Sequence, residues 1–132
     1  MNVQDYRAAG YALSQYIDQA AVSRAEGDVV AAYIAPALGH VPTADDLADT
    51  DVQKALMALS FLAIMQRTAV ATRAGGKEKQ TANSLSPVYE DVLRQNAPTA
   101  AMYLRNIAVD RKALKSVHDI CGIFFRSQFF NR

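Results

Sequence analysis

Apolar residues recur along this chain at intervals of three, four and seven, the spacing that puts side chains on one face of an α-helix. Tyr6, Leu13, Tyr16, Ile17, Ala20 and Ala21 form one such stripe and predict a helix over about 3–25. Gly10 is tolerated inside it at about 1 kcal/mol against Ala. Glu26-Gly27-Asp28 reads as a stop and restart, with Gly27 suited to a left-handed C-cap and Asp28 to the next N-cap. A short helix over 29–35 follows, limited by Pro36, because the residue before a proline avoids the helical region. Residues 38–42 read as a loop, and Thr43 as the cap of a short turn over 44–48.

The next segment has the clearest pattern. Thr50-Asp51-Val52-Gln53 fits a capping box, in which the Thr50 hydroxyl and the Gln53 side chain satisfy each other's backbone donors. The helix it opens, over about 51–74, would be roughly 36 Å long. Its middle is apolar nearly all round, which places it at the centre of the fold. Gly75-Gly76 stops it, and the polar stretch 77–85 has little to bury, so an exposed loop is expected at about 75–86. Ser86-Pro87 starts a further helix to about Gln95, with Pro at the first helical position. Asn96-Ala97-Pro98 starts another, and Asp110 reads as a kink or a new cap. Leu114, Val117, Cys121, Phe124 and Phe125 continue a helical stripe toward the end. No segment alternates apolar and polar residues over four to eight positions, so no strand is predicted. The expected fold is all-α: one helical domain over 1–132, with five or six helices packed around one long central helix at about 51–74, and a Phe-rich tail at about 122–132.

Composition fits that picture. The 132 residues are 51% hydrophobic and 20% charged, which suits one globular domain. A single Cys excludes an intramolecular disulfide and a cysteine-built zinc site. The start, Met-Asn-Val-Gln-Asp-Tyr-Arg, lacks the basic and apolar regions of a signal peptide. The longest near-apolar run, Ala55 to Met65, is interrupted by Ser60 and falls far short of the ~20 residues that span a bilayer. A soluble, intracellular chain with no membrane partner is expected. The net charge is +1, but it is unevenly spread. Residues 1–66 carry three basic and eight acidic residues, a net of −5; residues 67–132 carry eleven and five, a net of +6. This asymmetry suits head-to-tail contact between identical subunits, or simply two unlike solvated faces.

Candidate chemistry is sparse. Gly75-Gly76-Lys77 superficially resembles a phosphate loop, but Ala71 stands where that motif needs Gly, Glu78 stands where it needs Ser or Thr, and a helix precedes it instead of a strand. His118 and Cys121 are spaced i, i+3, which can hold a metal, but two ligands are too few and Cys121 also lies on an apolar stripe. The only other His is His40. The adjacent carboxylates Asp45-Asp46 and Glu90-Asp91 diverge by about 100° on a helix, while Asp45 and Asp49 share a face. No nucleophile-elbow or zincin motif is present. The chain is therefore expected not to be an enzyme and to need no cofactor and no metal.

Two features suggest partners. Arg67, Arg73, Lys77 and Lys79 form a basic run opposed along the sequence only by Glu78, and Arg105, Arg111, Lys112 and Lys115 form a second. Such residues suit phosphate contacts without sequence reading, or a solubilising surface. The basic clusters at 67–79 and 105–115 leave open a small helical DNA-binding or regulatory protein. Phe124, Phe125, Phe129 and Phe130 put four rings near the chain end, for docking on the protein's own core or in a neighbour's pocket.

In layout the chain resembles the tailed-phage head–tail connector family, the ring-forming adaptor proteins. The features that carry the resemblance are an N-terminal helical segment, a loop with Pro42, a long helix starting near Asp51, the stretch Ala71-Thr-Arg-Ala-Gly-Gly-Lys-Glu-Lys-Gln-Thr-Ala-Asn-Ser, and short helices ending in a tail. The resemblance implies a non-catalytic α-helical subunit of a phage or prophage particle. About twelve copies would close a ring between portal and tail proteins, around a channel for double-stranded DNA. It implies that Arg67, Arg73, Lys77 and Lys79 face the channel, with transient non-specific DNA contact, or a neighbouring subunit. It implies that Phe124, Phe125, Phe129 and Phe130 dock on the portal, and that the protein resides in the virion, or in the host cytoplasm before assembly.

Overall fold

The computed structural model describes residues 1–74 and 76–110, with the backbone alone over 68–74 and 76–90. The protein is mostly helical, with no strand among the described residues. The helices are α1 (Val3–Ala8), α2 (Gln19–Val29), α3 (Ala35–Leu38), α4 (Ala44–Ala48), α5 (Thr50–Ala74) and α6 (Gly76–Ile107). A π-helical turn, Val30–Ile34, joins α2 to α3 into one continuous path.

The first predicted helix is two. Gly10 takes φ +95°, a left-handed conformation that an L side chain rarely adopts, and the chain leaves the helix there. Asp18 restarts it by accepting from the Ala21 N–H at 2.8 Å. Tyr16 lies between the two helices, where the helical period does not apply, and it is 85% exposed instead of buried. Gly27 and Asp28 do not stop α2, whose face of Val22, Ala25 and Val29 is buried on both sides of them. The path also passes Pro36. The Ala35 N–H bonds back five residues to Val30, and the helix ends only at Gly39, φ +81°. The π register supplies the slack that a proline, with no N–H of its own, demands of the preceding turn.

Thr43 caps α4 as expected, in a capping box with Asp46. The cap of α5, however, is Asp49 and not Thr50: its carboxylate accepts from the Asp51 and Val52 N–H groups at 3.1 and 3.2 Å. Gln53 instead turns its amide to the Leu47 carbonyl, tying α4 to the start of α5. From Ala55 to Ile64 every residue of α5 is buried except the half-buried Met57.

The largest correction concerns 75–107. The expected loop at about 75–86 and the two short helices after it are one helix of 32 residues, longer than the 25 of α5. Two long helices therefore form the frame, and they pack against each other more extensively than any other pair of described elements. Lys, Glu, Gln and Ala, which fill 77–82 apart from Thr81, are good helix formers, and polarity alone does not make a loop. Pro98 sits inside the helix on its exposed side, where a gentle bend is tolerated. On the opposite side Leu93, Ala97, Ala100 and Leu104 form a buried seam spaced four, three and four. The Asn96 side chain bonds the Val92 carbonyl at 2.7 Å, within the turn that Pro98 interrupts. The helix ends before Asp110, and the Val109 N–H donates to Ala37 O at 2.9 Å, which fastens the end of α6 beside α3.

Candidate functional site

Of the predicted basic run, Arg67 is the residue whose side chain is described. It lies on α5 and pairs with Asp28 of α2, both partly exposed. The sequence reading saw only Glu78 as an opposing charge, and no local signal links residues 28 and 67. The pair stands at the rim of a hollow of about 240 Å³, floored by Val29, Ala32, Tyr33 and Ala63 with Gln66 beside them. Arg67 is thereby answered within the chain. Arg73 falls in the last turn of α5, and Lys77 and Lys79 fall in the first turn of α6, as backbone positions on helices and not on a loop. Phe124, Phe125, Phe129, Phe130, His118, Cys121 and the basic residues from Arg111 onward lie outside the described residues.

At the other end of α5 the acidic residues divide by task. Asp46 accepts from the Thr43 N–H and faces His40 Nε2, each at 2.9 Å. The Thr43 N–H first, and then His40, hold its carboxyl below the ordinary carboxylate range. Asp49 is spent on the α5 cap. Asp45 and Asp51 are exposed, and no described residue bonds their carboxylates. Asp45 and Asp49 thus serve different ends and do not form a working pair. In the same segment Val41 is 81% exposed, and Leu47 is also exposed. Val109, fastened near Ala37, is 80% exposed.

A third cluster is one that sequence reasoning missed. The Tyr6 hydroxyl donates to Glu26 Oε2 at 2.6 Å, and the N-terminal ammonium donates to Glu26 Oε1 at 3.1 Å. Burial chiefly, and then the bond to Glu26, push the Tyr6 phenol far above its ordinary range. Ser60 of α5 is fully buried beside this hydroxyl, and its Oγ has no partner in good hydrogen-bond geometry. Tyr11 packs on both Tyr6 and Phe61, with ring centroids 6.3 and 5.0 Å away. The cluster ties α1, α2 and α5 together as a structural rivet.

Among the described residues no group of three or more His, Cys, Asp or Glu side chains is placed to hold a metal, and no helix is long and apolar enough to cross a membrane. The chain matches no protein-family model, no curated protein and no solved structure.

Proposed function

We propose that this protein is a non-enzymatic structural adaptor of a phage or prophage particle, a helical subunit whose copies form a ring between portal and tail around the DNA channel. The observation that carries the reading is the concentration of exposed apolar side chains at one end of a well-packed subunit. Val109 is held beside Ala37, a few residues from Val41, and both valines are almost wholly solvated. Exposed apolar side chains gathered at one end of a subunit suit a protein contact. The resemblance to the head–tail connectors stays one of sequence layout, and of that layout the long helix starting near Asp51 is present as α5. The pairing of Arg67 with Asp28 takes one cation from the basic run and so weakens the rival DNA-binding reading.

Light scattering across a wide concentration range, with electron microscopy of the peak fractions, tests this. The expected result is a discrete ring with a central lumen, of about twelve copies. A compact dimer at every concentration would overturn it, because an isologous pair uses up one patch twice and closes no ring.

A further inference from the structure

The hollow beside the Asp28–Arg67 pair is lined by small side chains from two packed elements. Ala32 of the π-helical turn and Ala63 of α5 border its 240 Å³, over a floor completed by Val29 and Tyr33. An apolar space of about 150 Å³ already accepts a benzene-sized ring, so this one has room for a substituted ring. Its rim is polar, with Asp28, Gln66 and Arg67 along it. The chemistry it suits is an aromatic ring with a hydrogen-bonding edge, apolar against the floor and polar at the rim.

The chain presents such a group. Tyr16 is the most exposed large apolar side chain among the described residues. Its backbone is nevertheless bonded in place. The Tyr16 N–H donates to Ser14 Oγ at 3.2 Å, the Ile17 N–H donates to the Ser14 carbonyl at 3.1 Å, and Arg7 Nη2 donates to the same carbonyl at 3.3 Å. A turn fixed in this way loses little freedom on docking. Tyr16 precedes the cap of α2, whereas the hollow lies around Asp28 and Val29 at the other end of that helix. The 11 residues of α2 rise about 16 Å, farther than a tyrosine side chain spans, so Tyr16 does not reach the hollow of its own copy. Arg7 and the capping Asp18 flank the tyrosine. Asp28 and Arg67 flank the hollow, and the exposed Arg24 stands one turn before Asp28. Both sides carry mixed charge, which leaves the ring to decide the fit.

We propose that Tyr16 of one copy docks in the Val29–Ala32–Tyr33–Ala63 hollow of the next. The ring lies on the apolar floor and the hydroxyl comes to the rim, where Asp28 and Gln66 accept and Arg67 donates. Knob and socket occupy opposite ends of α2, so the contact is heterologous and repeats from copy to copy, closing a ring when its rotation allows. Ala37, beside which the exposed Val109 is fastened, follows Tyr33 by one turn, so the apolar end of the subunit borders the socket and shields the docked ring. The inference rests on the self-assembly stated under Proposed function and assigns the surfaces that make it.

The test separates knob from socket. Tyr16→Ser removes the knob at a site too exposed to matter for folding. Ala32→Leu fills the socket, and Ala32→Glu, a second socket variant, sets a carboxylate over its floor. Circular dichroism identifies the variants that keep the fold. Each should need roughly tenfold or more protein to assemble, as judged by light scattering, while Tyr16→Phe, which keeps the ring, should lose less. Wild-type assembly should change little with salt, because no net charge carries the contact. Mixed one to one, Tyr16→Ser supplies a socket and Ala32→Leu a knob. The mixture should therefore form one contact per pair and stop at a heterodimer, at concentrations where neither variant associates alone. A folding defect would not produce that pair. Wild-type-like assembly of Tyr16→Ser and of the Ala32 variants overturns the docking while leaving the adaptor reading in place. Impaired variants whose mixture forms no pair overturn it as well. A wild-type chain that forms only a compact dimer overturns both the docking and the ring.

Discussion

Two carboxylates in this protein do similar bonding in opposite settings. Glu26 takes the Tyr6 hydroxyl and the N-terminal ammonium in a partly buried site against α5. Asp46 takes the Thr43 N–H and His40 on the surface, at the start of a five-residue helix. The short bond lengths are alike. What differs is what surrounds them. Around Glu26, whose side chain is only 14% exposed, little water remains, so losing a partner strands a polar group in a poor solvent. Around Asp46, water takes over whatever a lost partner gave. The same chemistry therefore holds the fold in one region and only trims a helix end in the other.

The sharpest way to break that comparison is Tyr6→Ala. It removes a fully buried ring and the donor to Glu26, and should destabilise the protein by about 3–5 kcal/mol in denaturant unfolding. Tyr6→Phe keeps the ring and removes only the hydroxyl, and should cost about 1.5–3 kcal/mol, the range for a hydrogen bond to a charged group. A loss near zero would show that Glu26 is well solvated after all and would erase the contrast. Alkaline titration adds a second readout. The folded phenol ionises above its ordinary value of 10.0, so its contribution is complete below that pH and declines as pH rises past it. Wild-type stability should therefore fall above pH 10, and the Tyr6→Phe variant should lose that component of the slope.

This contrast also marks where sequence reading reached and where it stopped. The helical class was legible in the periodicity, as was the apolar middle of α5, because side-chain spacing is a local property. The Thr43 cap was legible for the same reason, since its partner Asp46 is three residues away. The Tyr6–Glu26 bond spans 20 residues and the Asp28–Arg67 pair 39, and only the docking of α1 against α2, and of α2 against α5, brings them together. Glu26 and Asp28 looked like punctuation because their neighbour Gly27 does. At 77–85 the error ran the other way. Polar residues with good helix propensity look like a loop when polarity alone is weighed, yet they continue the helix whose buried seam runs from Leu93 to Leu104. Pro87 and Pro98 looked like helix starts because a proline's ordinary place is the first turn, and α6 carries both in its interior. Among the candidate residues, the place of Arg67 and Arg73 on the long helix was legible in the sequence, but the helical setting of Lys77 and Lys79 and the bonding of Arg67 to Asp28 were not.

Surface pairs set the lower end of the scale. Thr43→Ala removes the hydroxyl that accepts from the Asp46 N–H at 3.2 Å, and should cost about 0.5–1 kcal/mol. Arg67→Gln breaks an ion pair that is roughly half exposed, and should cost less than about 1 kcal/mol, less still at high salt. Its effect should be indistinguishable from that of Asp28→Asn, and the double variant should be no worse than either alone. A coupling well above that bound would mean that the neighbouring hollow dries the pair, and the pair would then belong with Glu26 and not with Asp46.

The smallest effect is the most diagnostic, because its sign is fixed. Asp46 has a depressed pKa when folded, so the stability it lends is present above the ordinary carboxylate pKa and is lost as pH falls through the folded value. Its first cause is the Thr43 N–H, which does not titrate, and His40 comes second. Removing the imidazole with His40→Gln should therefore raise the Asp46 pKa only in part, as followed by carboxyl NMR shifts on acid titration. Thr43→Pro, which removes the backbone donor, should raise it further. If His40→Gln returned Asp46 fully to the ordinary range, the charge pair and not the helix cap would set this carboxylate. The surface site would then resemble Glu26 more closely than its exposure suggests.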